Sequence, residues 1–404
     1  MEGVVESIIR SMSSVNRPQM LFMLSLFGVL SVFVGKATFR NMSRYTSHCE
    51  KTYSRWYRRA FDFLEFNTRL IAQEIPQSEA LIAAIDASFM KKSGKNTEGL
   101  GWFYNGSTAK AERGLEMSLI AVIDIKSNTA YGLDSQQTID KVPKKGKPKE
   151  HSRVDDYAKQ VARASASLLA LNIRYITADS YYAKTKFVNP VLKLGFDIIG
   201  KLRNDANLKW LYEGEYSGIG APRKYDGKVR LTEGFSRFNH DGTLSDGIEV
   251  YSAVVWSVSL KRKIKVVVLA WSKSGSLGVA ILYSSDLDLS AMDIVKYYKA
   301  RFQIEFLFRD AKQYTGLMDC QSTKKEAIGT HINASITSLN IMKLEDRRCK
   351  GTNDKTVISI ASWKRKKMNR HLIGKVLCSL GISQTCKKAM DVYENLSDYG
   401  TIAA

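Results

Sequence analysis

Residues 80–89 read ALIAAIDASF, an apolar run of strand length broken by one carboxylate, Asp86. A charge between Ile85 and Ala87 costs free energy there unless it is paired or holds a metal. The run opens a series of strands. GLEMSLIAVIDI (114–125) follows, then 129–133, with Ser127-Asn128 as the turn. Three such strands predict an antiparallel meander. The texture then alternates. Residues 155–171 place Tyr157, Val161, Ala164, Leu168 and Leu171 at helical spacing. RYITA (174–178) reads as a strand, 183–194 as a helix and 196–202 as a strand. A meander followed by crossover units predicts an α/β fold on a five-stranded sheet. Asp179 ends the fourth strand, where ligand sites of open α/β sheets lie. If that strand pairs with the first, Asp86 and Asp179 are neighbours, and a divalent cation relieves their repulsion.

The flanks differ from this core. Residues 1–75 read as helical, with Asn16-Arg17-Pro18 as a helix start. The uncharged run 20–35, MLFMLSLFGVLSVFVG, falls short of a bilayer span and predicts a buried core helix. Residues 37–70 interleave Arg40, Arg44, Lys51, Arg55, Arg58, Arg59 and Arg69 with aromatics, a pattern that suits a helix-turn-helix on DNA. The stretch DKVPKKGKPKEHSR (140–153) holds five lysines, among them Lys144 and Lys145. It reads as a solvated linker or as a loop on phosphates. Residues 204–290 are mostly β, with strands expected at 228–231, 248–257, 264–270 and 279–284. Residues 291–318 and 324–346 read as helices. The tail, 346–404, carries the basic cluster WKRKKMNR (363–370).

Composition narrows the function. Among 404 residues, 61 Lys and Arg against 40 Asp and Glu give a net charge of +21, and 44 % are hydrophobic. Disordered, collagenous and small disulfide-rich classes are excluded. The excess favours a polyanionic partner, nucleic acid or an anionic membrane. Five cysteines without a C-x-x-C pair argue against a disulfide framework or a cysteine zinc site and fit a reducing compartment.

The helix after the β-rich block supplies a third acid. Tyr298, Arg301, Glu305 and Lys312 fall on one helical face, within an arc of roughly 60°. Ile304, Leu307, Phe308 and Ala311 form an adjacent apolar stripe, and Asp310 lies nearly opposite. By spacing alone this is an ordinary solvated face with ion pairs.

The spacing Tyr298-x2-Arg301-x3-Glu305-x6-Lys312 nevertheless matches the Y-R-E-K signature of DDE transposases from bacterial insertion sequences of the insertion-sequence-four type. The chain also resembles that family at Asp86–Phe89, Trp102–Gly106, Gly114-Leu115-Glu116, TADSY (177–181), GKLR (200–203) and Thr38-Phe39-Arg40-Asn41. The resemblance covers roughly residues 20–340. It implies a ribonuclease-H-like catalytic core over 76–203 and 291–345, a β-rich insertion over 204–290, an N-terminal helical DNA-binding domain over 1–75 and a basic C-terminal tail. It implies that Asp86, Asp179 and Glu305 are catalytic and hold Mg²⁺, or Mn²⁺ in its place. Tyr298, Arg301 and Lys312 then face DNA, with Lys201, Arg203, Lys144 and Lys145 as further contacts. Family members often hold a displaced base on an aromatic of the insertion, for which Trp256 and Trp271 are the candidates. The implied activity is cleavage at the element's ends and joining of the 3′ ends to target DNA by two-metal catalysis. The implied partners are the terminal repeats, target DNA and a second copy in a synaptic dimer, in the bacterial cytoplasm on the nucleoid, with no membrane. A structure-specific nuclease on the same fold and a non-catalytic DNA-binding remnant are the alternatives.

Overall fold

The computed structural model describes residues 2–78, 80–138, 152–216, 218, 220–273, 276–350 and 358–402. Five helices lead: α1 (Glu2–Ser11), α2 (Arg17–Val32), α3 (Phe39–Met42), α4 (Glu50–Trp56) and α5 (Phe63–Glu74). Asn16 caps α2 by accepting from the Gln19 amide, and Pro18 sits in its first turn. The apolar run is buried along α2 through Phe22, Met23, Leu26, Phe27 and Leu30. Among the described residues no helix is long and apolar enough to cross a membrane. The mixed composition of 37–70 sorts by face. Tyr53 and Tyr57 are buried, and Phe22, Phe39 and Trp56 pack around them. Arg40, Arg44, Arg55, Arg58 and Arg59 stay exposed.

The sheet follows. Strands β1 (Leu81–Lys91), β2 (Gly101–Asn105), β3 (Lys110–Asp124) and β4 (Thr129–Thr138) form the meander, with β2 an addition to the three strands expected. Helix α6 (Arg153–Ala170) leads to β5 (Tyr175–Ala178), and α7 (Thr185–Lys193) to β6 (Asp197–Leu202). Strands β1, β5 and β6 are mutually parallel, and the meander pairs are antiparallel. The block after β6 supplies β7 (Leu208–Leu211), β8 (Tyr225–Lys228), β9 (Asn239–Thr243), β10 (Glu249–Ser257), β11 (Arg262–Lys273) and β12 (Ser276–Ser284). The strand expected at 228–231 lies earlier, at β8, and Leu231–Glu233 form a 3-10 turn instead. Strand β9 spans Asp241-Gly242, a dipeptide that ordinarily marks a turn.

The five-stranded expectation is too small. β12 pairs with the free edge of β6, so β7–β12 extend the sheet to twelve strands. The path runs β2-β3-β1-β5-β6-β12-β11-β10-β7-β8, with β4 on β3 and β9 on β10.

Alternation along β1 divides the core. Ala83 and Ile85 point to the face shared with α1–α7, whereas Ile82 and Ala84 point to the other face. That second face is covered by α9 (Gln303–Tyr314) and α10 (Lys325–Lys350), reached from the sheet through α8 (Ala291–Ala300). The segment expected as one helix at 291–318 is therefore two, with a break at Arg301-Phe302. Helices α11 (Ile360–Ser379) and α12 (Lys387–Leu396) complete the chain.

Helix α10 also closes the outer edge of β4. Asn340 accepts from the Gly132 amide at 2.8 Å and donates to the Gly132 carbonyl at 2.7 Å. One helical repeat earlier, Asn333 accepts from the Ser135 amide and donates to its carbonyl. Lys343 donates to the Ala130 carbonyl. Side-chain amides thus replace the missing strand, which satisfies buried backbone groups and removes an adhesive edge.

Candidate active site

Asp86 follows the alternation of Ile82 and Ala84 and so faces α8 and α9. The parallel register pairs Ile85 with Ala178, which sets Asp86, midway along β1, beside Asp179 at the carboxyl end of β5. Each carboxylate is held by the backbone that follows it. Asp86 accepts from the Ala87 amide at 2.8 Å, and Asp179 accepts from the Tyr181 amide at 2.8 Å. The Asp179 contact caps the short 3-10 turn Ser180–Tyr182.

The third acid arrives with an arginine between. Arg301, in the break after α8, is only 6 % exposed. Its guanidinium donates to Glu305 at 3.0 Å and approaches Asp86 at 3.5 Å. Tyr298 and Phe302 flank it, with ring centres 5.5 and 5.0 Å from the guanidinium carbon. Arg301 was expected to face DNA phosphates; in this structure it faces the carboxylates. Lys312 donates to the Ser88 hydroxyl at 2.9 Å, two residues beyond Asp86 on the same face of β1. Ser88 was not singled out from sequence, although its i+2 relation to Asp86 is the visible signal.

The electrostatics are those of an acid cluster with one internal counter-charge. Burial pushes the Asp86 carboxyl up to about 6; Arg301 opposes this, and Asp179 and Glu305 add to it. Glu305 stands at the rim, its side chain 46 % exposed. Three carboxylates are a hard oxygen set of the kind that suits Mg²⁺ or Mn²⁺, so the donor chemistry fits a divalent ion. The spacing does not gather them on one point: among the described residues no three His, Cys, Asp or Glu side chains stand close enough to share an ion. The Arg301 guanidinium lies between Asp86 and Glu305 instead.

The other expected contacts are dispersed. Lys201 is exposed on β6, whose Gly200 pairs with Ala178 just before Asp179. Arg203 is exposed and paired with Asp205 at 3.0 Å. Lys144 and Lys145 lie outside the described residues. Trp256 packs against Tyr225, and Trp271 lies over Gly278 on the neighbouring strand.

A cluster unforeseen from sequence lies beyond Asp179. Glu116 is buried and accepts from Tyr157 at 2.5 Å and from Arg153 at 2.8 Å. Arg153 in turn reaches the rings of Phe103 and Tyr181. Phe103, Glu116 and Tyr181 lie in separate stretches quoted from the sequence, and nothing local in them shows that they meet.

A comparison with curated proteins finds no match. A family model described as "Transposase DDE domain" matches residues 77–341, from the start of β1 into α10 and across all three acids. That span is well over half of the chain, and the protein belongs to this family of DDE-domain transposases.

Proposed function

We propose that the protein is a transposase of the insertion-sequence-four type that binds the ends of its element, cuts them and joins the 3′ ends to target DNA. The observation that supports this reading is one buried guanidinium shared by Asp86 and Glu305, with Asp179 at the carboxyl end of the strand beside Asp86. Family membership gives the reaction class, and the net charge of +21 suits the substrate.

Asp86, Asp179 and Glu305 would hold divalent ions, Mg²⁺ or Mn²⁺, which activate the attacking oxygen and stabilise the leaving one. The rest falls to the chain's own side chains. Asp86 on β1 and Asp179 directly after β5 are fixed by backbone amides, so their positions are set before substrate arrives. Glu305 stands on α9, and its exposure lets it adjust to what binds. Arg301 neutralises the cluster in this form, and its fork matches both a carboxylate and a phosphate oxygen. Lys312, held over Ser88, places a second cation at the same mouth. The exposed arginines of α3 and α4 form a basic outer face suited to the element ends. Lys201, Arg203, Lys144 and Lys145 are proposed as further backbone contacts. The N-terminal helices, residues 1–75, serve end recognition, the insertion 204–290 shapes the DNA channel, and the tail contacts DNA or a second copy in a synaptic dimer. The enzyme acts on the bacterial nucleoid.

The test is joining. Labelled DNA carrying the element's own ends is incubated with the protein, Mg²⁺ and a supercoiled plasmid. Transfer of label to the plasmid is expected. Cleavage without transfer would instead indicate a nuclease on this fold.

A further inference from the structure

We propose that Arg153 and Lys184, held around the ring of Tyr181, form a phosphate subsite beside Asp179 that grips the backbone of the DNA strand bound at the carboxylates. The inference rests on the reading of the protein as a DNA-processing transposase.

Tyr181 follows Asp179 by two residues, and its amide is bonded to that carboxylate. The ring therefore keeps a fixed offset from the candidate active site. It is 40 % exposed. The Lys184 ammonium lies 3.6 Å from its centre, and the Arg153 guanidinium carbon lies 5.9 Å from it. Two cations thus share one ring at the surface.

Arg153 is fixed from behind. Glu116 accepts from it, Tyr157 holds Glu116, and the Phe103 ring lies 5.6 Å from the guanidinium carbon. Lys184 is exposed. Burial and then the Arg153 charge pull its pKa down, while Asp179 opposes this. The Arg153 charge acts on Lys184 as a like charge, and an anion bound by both reverses the sign of that interaction. Of the nearby acids, Glu116 holds Arg153 from behind, Asp179 attracts Lys184, and Asp155 caps its own helix through Ser152 and faces Lys186 at 4.0 Å.

The chemistry selects a phosphate over a base. A base would stack on the Tyr181 face that the ammonium covers. A phosphodiester oxygen can accept from both cations at once. Because the contact is to the backbone, it positions the strand without reading sequence.

The test compares the native chain with Lys184→Met and Lys184→Arg, binding a short labelled duplex with the element's terminal sequence. Anisotropy is followed over a salt series with Ca²⁺ in place of Mg²⁺. Lys184→Met is expected to weaken binding roughly tenfold at low salt and to reduce the slope of log affinity against log salt by about 0.9, one phosphate contact. Lys184→Arg should retain both. One neutral methylphosphonate near the cleavage position should cost the native chain the same factor and Lys184→Met nothing more. Unchanged affinity and slope in Lys184→Met, or no backbone position that absorbs its effect, overturns the subsite while leaving the transposase reading standing. A native chain that does not bind the duplex overturns both.

Discussion

Replacing Asn340 by leucine removes the amide that substitutes for a strand at the edge of β4. Asn340 is fully buried. Its oxygen accepts from the Gly132 amide, and its nitrogen donates to the Gly132 carbonyl and to Asn67 at 3.1 Å. Leucine is similar in size but offers no partner, so both Gly132 backbone groups lose theirs. Each orphaned buried group costs about 1–3 kcal/mol. Asn67 keeps Thr337 as a donor and adds little. Burying an apolar side chain instead of an amide returns roughly 1–2 kcal/mol. The net destabilisation is about 2–3 kcal/mol, a fall in melting temperature of several degrees for a chain this long. Chemical denaturation gives the stability, and amide exchange at Gly132 localises it, since that amide should lose its protection first. Unchanged stability with unchanged protection at Gly132 would refute the edge-closure argument. Loss of stability with Gly132 still protected would place the cost elsewhere.

Other expectations follow from single contacts. A Cβ at Gly132 would stand 2.1 Å from Ile336 Cγ2, so Gly132→Ala should cost about 1–3 kcal/mol by overpacking, read as a lowered denaturation midpoint. Burial pulls the Lys343 ammonium down to about 8 from its ordinary 10.5. The unfolded chain therefore binds more protons between those values, and stability contributed by this group rises with pH across that window. Lys343→Met should remove that rise, as seen by denaturation at pH 7 and pH 9. Arg301→Lys keeps the charge but loses the fork between Asp86 and Glu305. Cleavage should fall roughly tenfold or more while affinity for DNA changes little; equal losses in both would sink the positioning role.

Much of the site was legible in the sequence because strand periodicity is local. A carboxylate in ALIAAIDASF and another just after RYITA are visible before any pairing is known, and the parallel register then makes them neighbours. Three features were not legible. The break at Arg301-Phe302 carries no proline or glycine, so a continuous helix was the natural reading. That reading put Arg301 on the face of Glu305, where the ion pair between them lies, but could not show its approach to Asp86. The single twelve-stranded sheet depends on β6 meeting β12 across the seventy-three residues between them, a long-range pairing that local pattern does not encode. The role of Asn333 and Asn340 was hidden because polar residues one heptad apart on a helix read as a solvated stripe.

The central claim is that Asp86, Asp179 and Glu305 act as one catalytic set. It is tested most directly by cleavage of labelled terminal DNA in Mg²⁺ or Mn²⁺, comparing the native chain with Glu305→Gln, with DNA binding measured alongside. Cleavage by the native chain that vanishes in Glu305→Gln, with binding retained, is the result expected. Cleavage that survives Glu305→Gln would show that the third acid lies elsewhere and would contradict the site as drawn.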